Sequence, residues 1–154
     1  MISVEEAISK VENNFDVLET EFIPLKDAAG RVLSKDVISP INMPPFRQSA
    51  MDGYAINFVS NISSYEIIDE IQAGMDPANY KVPKGKAVRI FTGAALPGGA
   101  TSVIQQEWCI RTKNILSFNK TPLDKLNIRP IGEQLNKGDK ILAKKHHRCT
   151  RWSV

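Results

Sequence analysis

The chain has 154 residues, 24% of them charged and 42% hydrophobic, which suits one ordinary domain or two small interleaved ones with a buried core. No apolar run approaches the roughly 18 residues of a membrane-spanning helix, and the first residues lack a signal-peptide pattern, so we expect no membrane partner. The net charge is +3, but residues 144–154 hold four basic side chains and no acidic one, so the rest is nearly neutral and we expect no nucleic-acid partner.

The first predicted element is an amphipathic helix over residues 4–14. Ser3 and Glu6 form an S-x-x-E capping box at its start. Its apolar residues recur at helical spacing, which predicts that one stripe of the helix is buried: Val4, Ala7, Ile8, Val11 and Phe15. An extended segment over residues 20–25 follows, and then a single turn that Gly30 ends.

From residue 32 onwards, short apolar segments alternate with turn signals, a pattern typical of β-strands. The segments predicted as strands are 32–33, 37–38, 55–59, 65–71, 86–91, 102–108 and 115–118, with two more inside 127–132 and 138–142. This order predicts a mixed α/β, β-rich fold. We expect a β-rich domain, residues 40–130, inserted into a smaller α/β unit of residues 1–39 plus 131–143.

Residues 44–55, PPFRQSAMDGYA, form the first segment suited to chemistry. Two prolines stiffen the approach, and Asp52-Gly53 is a turn signal directly before a strand. This geometry suits an Asp52 carboxylate held at a fixed point for a metal ion, a proton or a hydroxyl. An Asp52 that only caps the turn through its own backbone is the alternative. Arg47 and Ser49 suit an oxyanion, although one Arg and one Ser make a weak signal.

Residues 89–100, RIFTGAALPGGA, form the second such segment, in which a strand runs into a Thr92-Gly93 turn. Backbone N–H groups and the Thr92 hydroxyl suit an anion bound in a small nest. The spacing is not that of a P-loop, and a glycine-containing hairpin without a ligand remains the alternative.

The remaining candidates are weaker. Glu107 is expected to be a charge at a strand edge. His146, His147 and Cys149 lack the spacing of a chelating set. Cys109 and Cys149 form no CxxC pair, which favours reduced thiols in a cytoplasmic protein.

Both segments also carry a resemblance to a known family. The string SAMDGYA at residues 49–55, followed by AVRIFTGA at residues 87–94 and then Leu96-Pro97, resembles the molybdopterin molybdenumtransferases of the MoeA and gephyrin type. Further matches in the same order extend the resemblance over residues 1–143. It implies a MoeA N-terminal-region-like fold, with coiled, bifurcated β-sheets inserted into an elongated α/β unit.

The resemblance also implies a function. Enzymes of this family hydrolyse adenylylated molybdopterin and insert molybdate into it during molybdenum cofactor synthesis, with a divalent cation such as Mg²⁺. It implies that Asp52 and Thr92 are catalytic, that Ser49 and Gly93 bind substrate or an anion, and that Asp52 holds Mg²⁺. The site would face the molybdopterin-binding domain of the other subunit of a homodimer.

Three departures from the family limit these expectations. Thr101 stands where the family usually has an aspartate, and residues 144–154 resemble neither the family nor an ordered element. The molybdopterin-binding and C-terminal domains are missing, so we expect this chain alone to be inactive. A non-catalytic dimerisation or scaffold module is the alternative function.

Overall fold

The computed structural model describes residues 2–14 and 19–144. The chain divides into two compact units, Met1–Val37 with Leu142–Val154 and Ile38–Ile141. The domain limits expected from the sequence stay a prediction. The expectations for residues 145–154, including His146, His147 and Cys149, fall outside the described residues. Among the described residues, no helix has the length and apolar character to cross a membrane.

The first unit contains the one α-helix of the described residues, α1 (Val4–Asn13). Its capping box is confirmed, because the Ser3 hydroxyl accepts a bond from the Glu6 backbone N–H at 3.1 Å and the Ser3 N–H donates to Glu6 Oε2 at 3.2 Å. The expected burial of its apolar stripe is wrong for Val4, Ala7, Ile8 and Val11, and Phe15 falls outside the described residues. The helix has no buried residue, and Val4 is 70% exposed. Helical spacing sets which side chains share a face, and burial of that face needs a second surface.

The second unit is built on strands. The six that form its main sheet are β3 (Gly53–Ile56), β4 (Ser64–Ile71), β5 (Lys86–Ile90), β6 (Ser102–Gln105), β7 (Cys109–Thr112) and β8 (Ile115–Phe118). Their spatial order is β6-β3-β5-β4-β8-β7. Only β4 and β5 run parallel within this sheet, and the other neighbours are antiparallel.

Two smaller sheets and three 3₁₀ turns complete the described elements. One small sheet pairs β1 (Val37–Ile38) with β10 (Lys140–Leu142), and the other pairs β2 (Gln48–Ser49) with β9 (Ile128–Arg129). The 3₁₀ turns are Leu25–Asp27, Pro77–Asn79 and Gln106–Trp108. The predicted mixed, β-rich fold class is confirmed.

Both faces of the central strands are buried. All four residues of β3 are buried. Gly53 lies against β6, and the side chains of the other three residues alternate between two apolar clusters on opposite faces of the sheet. One cluster contains Ala55, Val88, Ile90 and Val103, and the other contains Tyr54, Ile56, Ala87 and Ile104. The site described below therefore starts from strand ends that are fixed by packing on both faces.

The strands differ from the prediction in several places. Strand β2 (Gln48–Ser49) was not predicted, and the expected strand 55–59 begins at Gly53 and ends at Ile56. Residues 32–33 form no strand, since a short extended pair needs a neighbouring strand to complete its hydrogen bonds. The expected strand 102–108 ends at Gln105, where a 3₁₀ turn begins, so Glu107 lies in that turn. Strand β7 was not predicted, because it lies at a sheet edge and three of its four residues are exposed.

Candidate functional site

The register of two antiparallel strands brings the two suspected segments together. Gly53, the first residue of β3, pairs with Ile90, the last residue of β5. The residues just before β3 and just after β5 therefore meet at one end of the sheet. Asp52 and Thr92 stand at these two positions, 40 residues apart in the sequence.

One Asp52 carboxylate oxygen accepts two hydrogen bonds from Thr92. The Thr92 hydroxyl donates to Asp52 Oδ1 at 2.6 Å, and the Thr92 backbone N–H donates to the same oxygen at 2.8 Å. These two bonds, the hydroxyl bond first, lower the pKa of Asp52 from its ordinary value of 3.8, and the positive charge of Arg89 lowers it further. The exposed carboxylate is therefore ionised at neutral pH and held in one orientation.

The backbone that follows the Asp52 side chain is also held. The Asp52 carbonyl accepts a bond from the Gln106 N–H at 3.0 Å. Gly53 lies so close to β6 that an added Cβ would overlap the Ile104 carbonyl oxygen. Only glycine fits at this close approach of two strands, so the glycine of the Asp-Gly pair is required by packing here.

Arg89 is a residue of the site that the sequence analysis missed. Its guanidinium donates to the Gly53 carbonyl at 3.1 Å and to Gln106 Oε1 at 2.8 Å. It also lies 5.2 Å from the centre of the Tyr54 ring and 4.8 Å from that of Phe91. Strand alternation was the available signal, because it places Arg89 on the same face as Ala87, against the cluster that contains Tyr54.

Ser49 and Gly93 lie in the same pair of segments as Asp52 and Thr92. The Ser49 side chain is buried, and its hydroxyl donates to the Met51 carbonyl at 2.6 Å. The Gly93 N–H donates to the Ser49 carbonyl at 2.9 Å, and the Ser49 N–H donates to the Ala94 carbonyl at 3.0 Å. An anion at Gly93 would have to replace the first of these bonds. The binding role of Ser49 and Gly93 stays a prediction.

Arg47 and Thr101 have structural partners nearby. Arg47 Nη2 donates to the Ala100 carbonyl at 3.3 Å, and the Arg47 carbonyl accepts a bond from the Leu96 N–H at 2.9 Å. The Thr101 hydroxyl, at the position where an aspartate was expected, accepts a bond from the Phe58 N–H at 3.0 Å. These contacts link the two segments to each other and to the end of β3.

The part of the chain that the structure describes lacks a cluster of metal-ligating side chains. It contains no group of three or more His, Cys, Asp or Glu side chains placed to hold a metal ion. The described residues therefore offer at most two such side chains to a cation at Asp52, and its other ligands would come from a substrate, from water or from another chain.

Comparison with known proteins gives one consistent result. The family model "MoeA N-terminal region (domain I and II)" matches residues 2–151. A molybdopterin molybdenumtransferase of Haemophilus influenzae is 37% identical over 146 residues, which are 92% of this chain and 36% of that protein. The molybdopterin molybdenumtransferase of a Staphylococcus epidermidis strain is 31% identical over 150 residues, 93% of this chain and 36% of that protein.

A solved structure agrees with these relatives. The molybdopterin biosynthesis protein moeA of Pyrococcus horikoshii superimposes with a TM-score of 0.82 at 32% identity, over 91% of this chain and 39% of that one. This likeness confirms the β-rich fold expected from the resemblance. The chain spans little more than a third of the length of the relatives it matches.

Proposed function

The chain belongs to the MoeA N-terminal region family, and we propose that it supplies Asp52 and Thr92 to the active site of a molybdopterin molybdenumtransferase. That enzyme would insert molybdate into adenylylated molybdopterin during molybdenum cofactor synthesis. The observation that carries the proposal is the pair of hydrogen bonds from Thr92 to Asp52 Oδ1, which joins the two segments that carry the resemblance.

In this proposal, Asp52 holds a cation or an ordered water. A carboxylate with a lowered pKa is a weak base, since a general base works best with a pKa near the operating pH. The same lowered pKa keeps the carboxylate charged, which favours binding of a cation. Thr92 orients the carboxylate through Oδ1, and the second oxygen, Oδ2, would face the ligand.

Mg²⁺ fits this site as an ion that this chain and the substrate would both bind. The ion usually retains several waters and is bound through one or two carboxylates together with substrate phosphates. Asp52 supplies one such carboxylate, and the phosphates of adenylylated molybdopterin would supply further oxygens. When bound, Mg²⁺ would neutralise charge on the phosphate oxygens. The residues of this chain would hold the carboxylate in place and charged.

The proposed site is one half of a composite site. Asp52 and Thr92 are exposed, and the chain matches 36% of the length of its transferase relatives. Catalysis needs the substrate fixed against the reacting groups. We therefore propose that this chain turns over little substrate by itself, and that Asp52 acts against the molybdopterin-binding domain of a second subunit in a homodimer. A cytoplasmic location, which suits reduced thiols at Cys109 and Cys149, is part of the proposal.

The test is hydrolysis of adenylylated molybdopterin that depends on molybdate and Mg²⁺. The chain is assayed alone and mixed with a polypeptide that carries the remaining domains of a homologous transferase. The proposal expects activity only in the mixture. An associated and folded mixture without activity would refute it.

A scaffold or dimerisation module is the second candidate function, and the exposed apolar side chains of the first unit favour it. Val4, Ile8 and Val11 of α1 are 70%, 53% and 57% exposed. An apolar stripe of this kind is typical of helices that pack against a partner. Under this reading Asp52→Ala has no effect and Ile8→Glu abolishes self-association, which sedimentation velocity measures directly.

A further inference from the structure

Arg89, which lies within the second motif of the resemblance, bonds to the backbone that follows the Asp52 side chain and has no hydrogen bond to the carboxylate. One guanidinium nitrogen donates to the carbonyl of Gly53, the next residue after Asp52, at 3.1 Å. The other donates at 2.8 Å to the side chain of Gln106, whose backbone N–H donates to the Asp52 carbonyl at 3.0 Å. Arg89 is therefore bonded directly to the Gly53 carbonyl and, through Gln106, to the carbonyl of Asp52.

The guanidinium is itself fixed in position. It lies 4.8 Å from the centre of the Phe91 ring and 5.2 Å from that of Tyr54, and the Tyr54 side chain is buried. Contacts of this kind favour a planar guanidinium over an ammonium group. Arg89 also stands opposite Tyr54 in the register of β3 and β5. The group that bonds the Asp52 turn is thus held by the sheet.

Direct binding of an anion by Arg89 is the competing role, and the surroundings oppose it. Arg89 lines an open depression together with Asp69, Glu70 and Arg111. The two carboxylates offset the two guanidinium groups, so the depression has no net positive charge to attract a phosphate or a molybdate. Both terminal nitrogens of Arg89 also have acceptors within the protein.

We infer that Arg89 is a positioning residue for the candidate site. It holds the backbone around Asp52 so that the carboxylate meets the hydroxyl and N–H of Thr92. This inference rests on the proposed function for its importance to catalysis, but the positioning itself is measurable without substrate.

The experiment is hydrogen–deuterium exchange of the Thr92 amide, which donates to Asp52 Oδ1 at 2.8 Å. Exchange is followed by NMR in the whole chain for wild type, Arg89→Met, Arg89→Lys and the control Arg111→Met, which changes an exposed arginine of the same sheet. The Val103 amide, which donates to the Leu126 carbonyl at 2.9 Å, reports the integrity of the sheet.

We expect Arg89→Met to speed exchange at Thr92 by about five- to tenfold, the effect of weakening one hydrogen bond, with Val103 unchanged. Arg89→Lys should fall between Arg89→Met and wild type, because it keeps the charge and loses the paired geometry. Unchanged exchange at Thr92, or equal acceleration at Thr92 and Val103, would overturn the inference.

If Arg89→Met does not fold, Gln106→Ala tests the inference by the same exchange criteria. It removes the side-chain bond from Arg89 to Gln106 and keeps the backbone bond from Gln106 to Asp52. Failure of the proposed function would be seen separately. A wild-type mixture without hydrolysis would refute the transferase assignment and leave the exchange result at Thr92 intact.

Discussion

The carboxylate of Asp52 accepts two hydrogen bonds from a single residue, Thr92, at 2.6 Å from its hydroxyl and 2.8 Å from its backbone N–H. The two residues come from segments 40 positions apart, and the pairing of Gly53 with Ile90 brings them together. An exposed aspartate that only capped its own turn would bond to backbone groups a few residues away. The long-range contact therefore contradicts the reading in which Asp52 only caps its own turn.

Thr92→Val should raise the pKa of Asp52 toward its ordinary value of 3.8, because it removes the hydroxyl bond and keeps the backbone one. Since the folded-state pKa is lowered, the stabilisation from this carboxylate is present above pH 3.8 and is lost as the pH falls through the folded value. Thr92→Ser, which keeps a hydroxyl, is the matched control and should titrate like wild type. Side-chain ¹³C NMR measures all three, and identical titrations would contradict the account.

Ser49→Ala should destabilise the protein by about 1–2 kcal/mol, because it leaves the Met51 carbonyl without its buried donor. Ser60→Ala, at an exposed serine, should change stability by less than about 0.5 kcal/mol. Urea unfolding monitored by fluorescence gives both values. Loss of complemented activity with stability unchanged would instead assign Ser49 to substrate binding.

Gly53→Ala should be the most damaging glycine substitution at the site, at a cost of about 3 kcal/mol or more, because the added methyl overlaps the Ile104 carbonyl of β6. Gly74→Ala is the control. Its φ of +91° disfavours alanine, but no atom lies within 4 Å of the added carbon, so a cost near 1 kcal/mol is expected. Equal free energies of unfolding for the two variants would show that β3 and β6 separate easily.

Cys109 should resist alkylation in the folded protein. Burial raises the pKa of its thiol to about 12 from 9.0, and its Sγ donates to the Gln105 carbonyl at 3.3 Å. The resulting stabilisation is complete below pH 9.0 and is lost as the pH rises toward 12.

The measurement for Cys109 is iodoacetamide labelling at pH 8 in a Cys149→Ser background, in which Cys109 carries the remaining thiol. We expect labelling to be at least about a hundredfold slower than in the same protein unfolded by urea. Equal rates would show that the Cys109 thiol is open to solvent.

The sequence predicted correctly those elements that interactions between neighbouring residues determine. The Ser3–Glu6 capping box fixed the start of α1, and the predicted strand over residues 115–118 matches β8. The exposed stripe of α1 did not follow, because periodicity reports which side chains share a face and says nothing of a covering surface. Strand β7 escaped prediction because an exposed edge strand lacks apolar alternation.

The candidate site was predictable as two segments, from which Asp52 and Thr92 were singled out, and the family resemblance supplied the catalytic role of these two residues. Their contact depends on the β3–β5 register, which is a long-range property. Arg89 was missed for the same reason: its partners Gly53 and Gln106 are 36 and 17 residues away in the sequence. The parallel pairing of β4 with β5 likewise has no local signal.

The most direct test of the central claim compares wild type, Asp52→Ala and Asp124→Ala in the complemented hydrolysis assay with molybdate and Mg²⁺. Asp124 is an exposed carboxylate of the same unit and serves as the control. The account predicts that Asp52→Ala loses at least about a hundredfold in rate while remaining folded and associated, and that Asp124→Ala retains wild-type activity. Full activity of a folded Asp52→Ala mixture would contradict the assignment of the site.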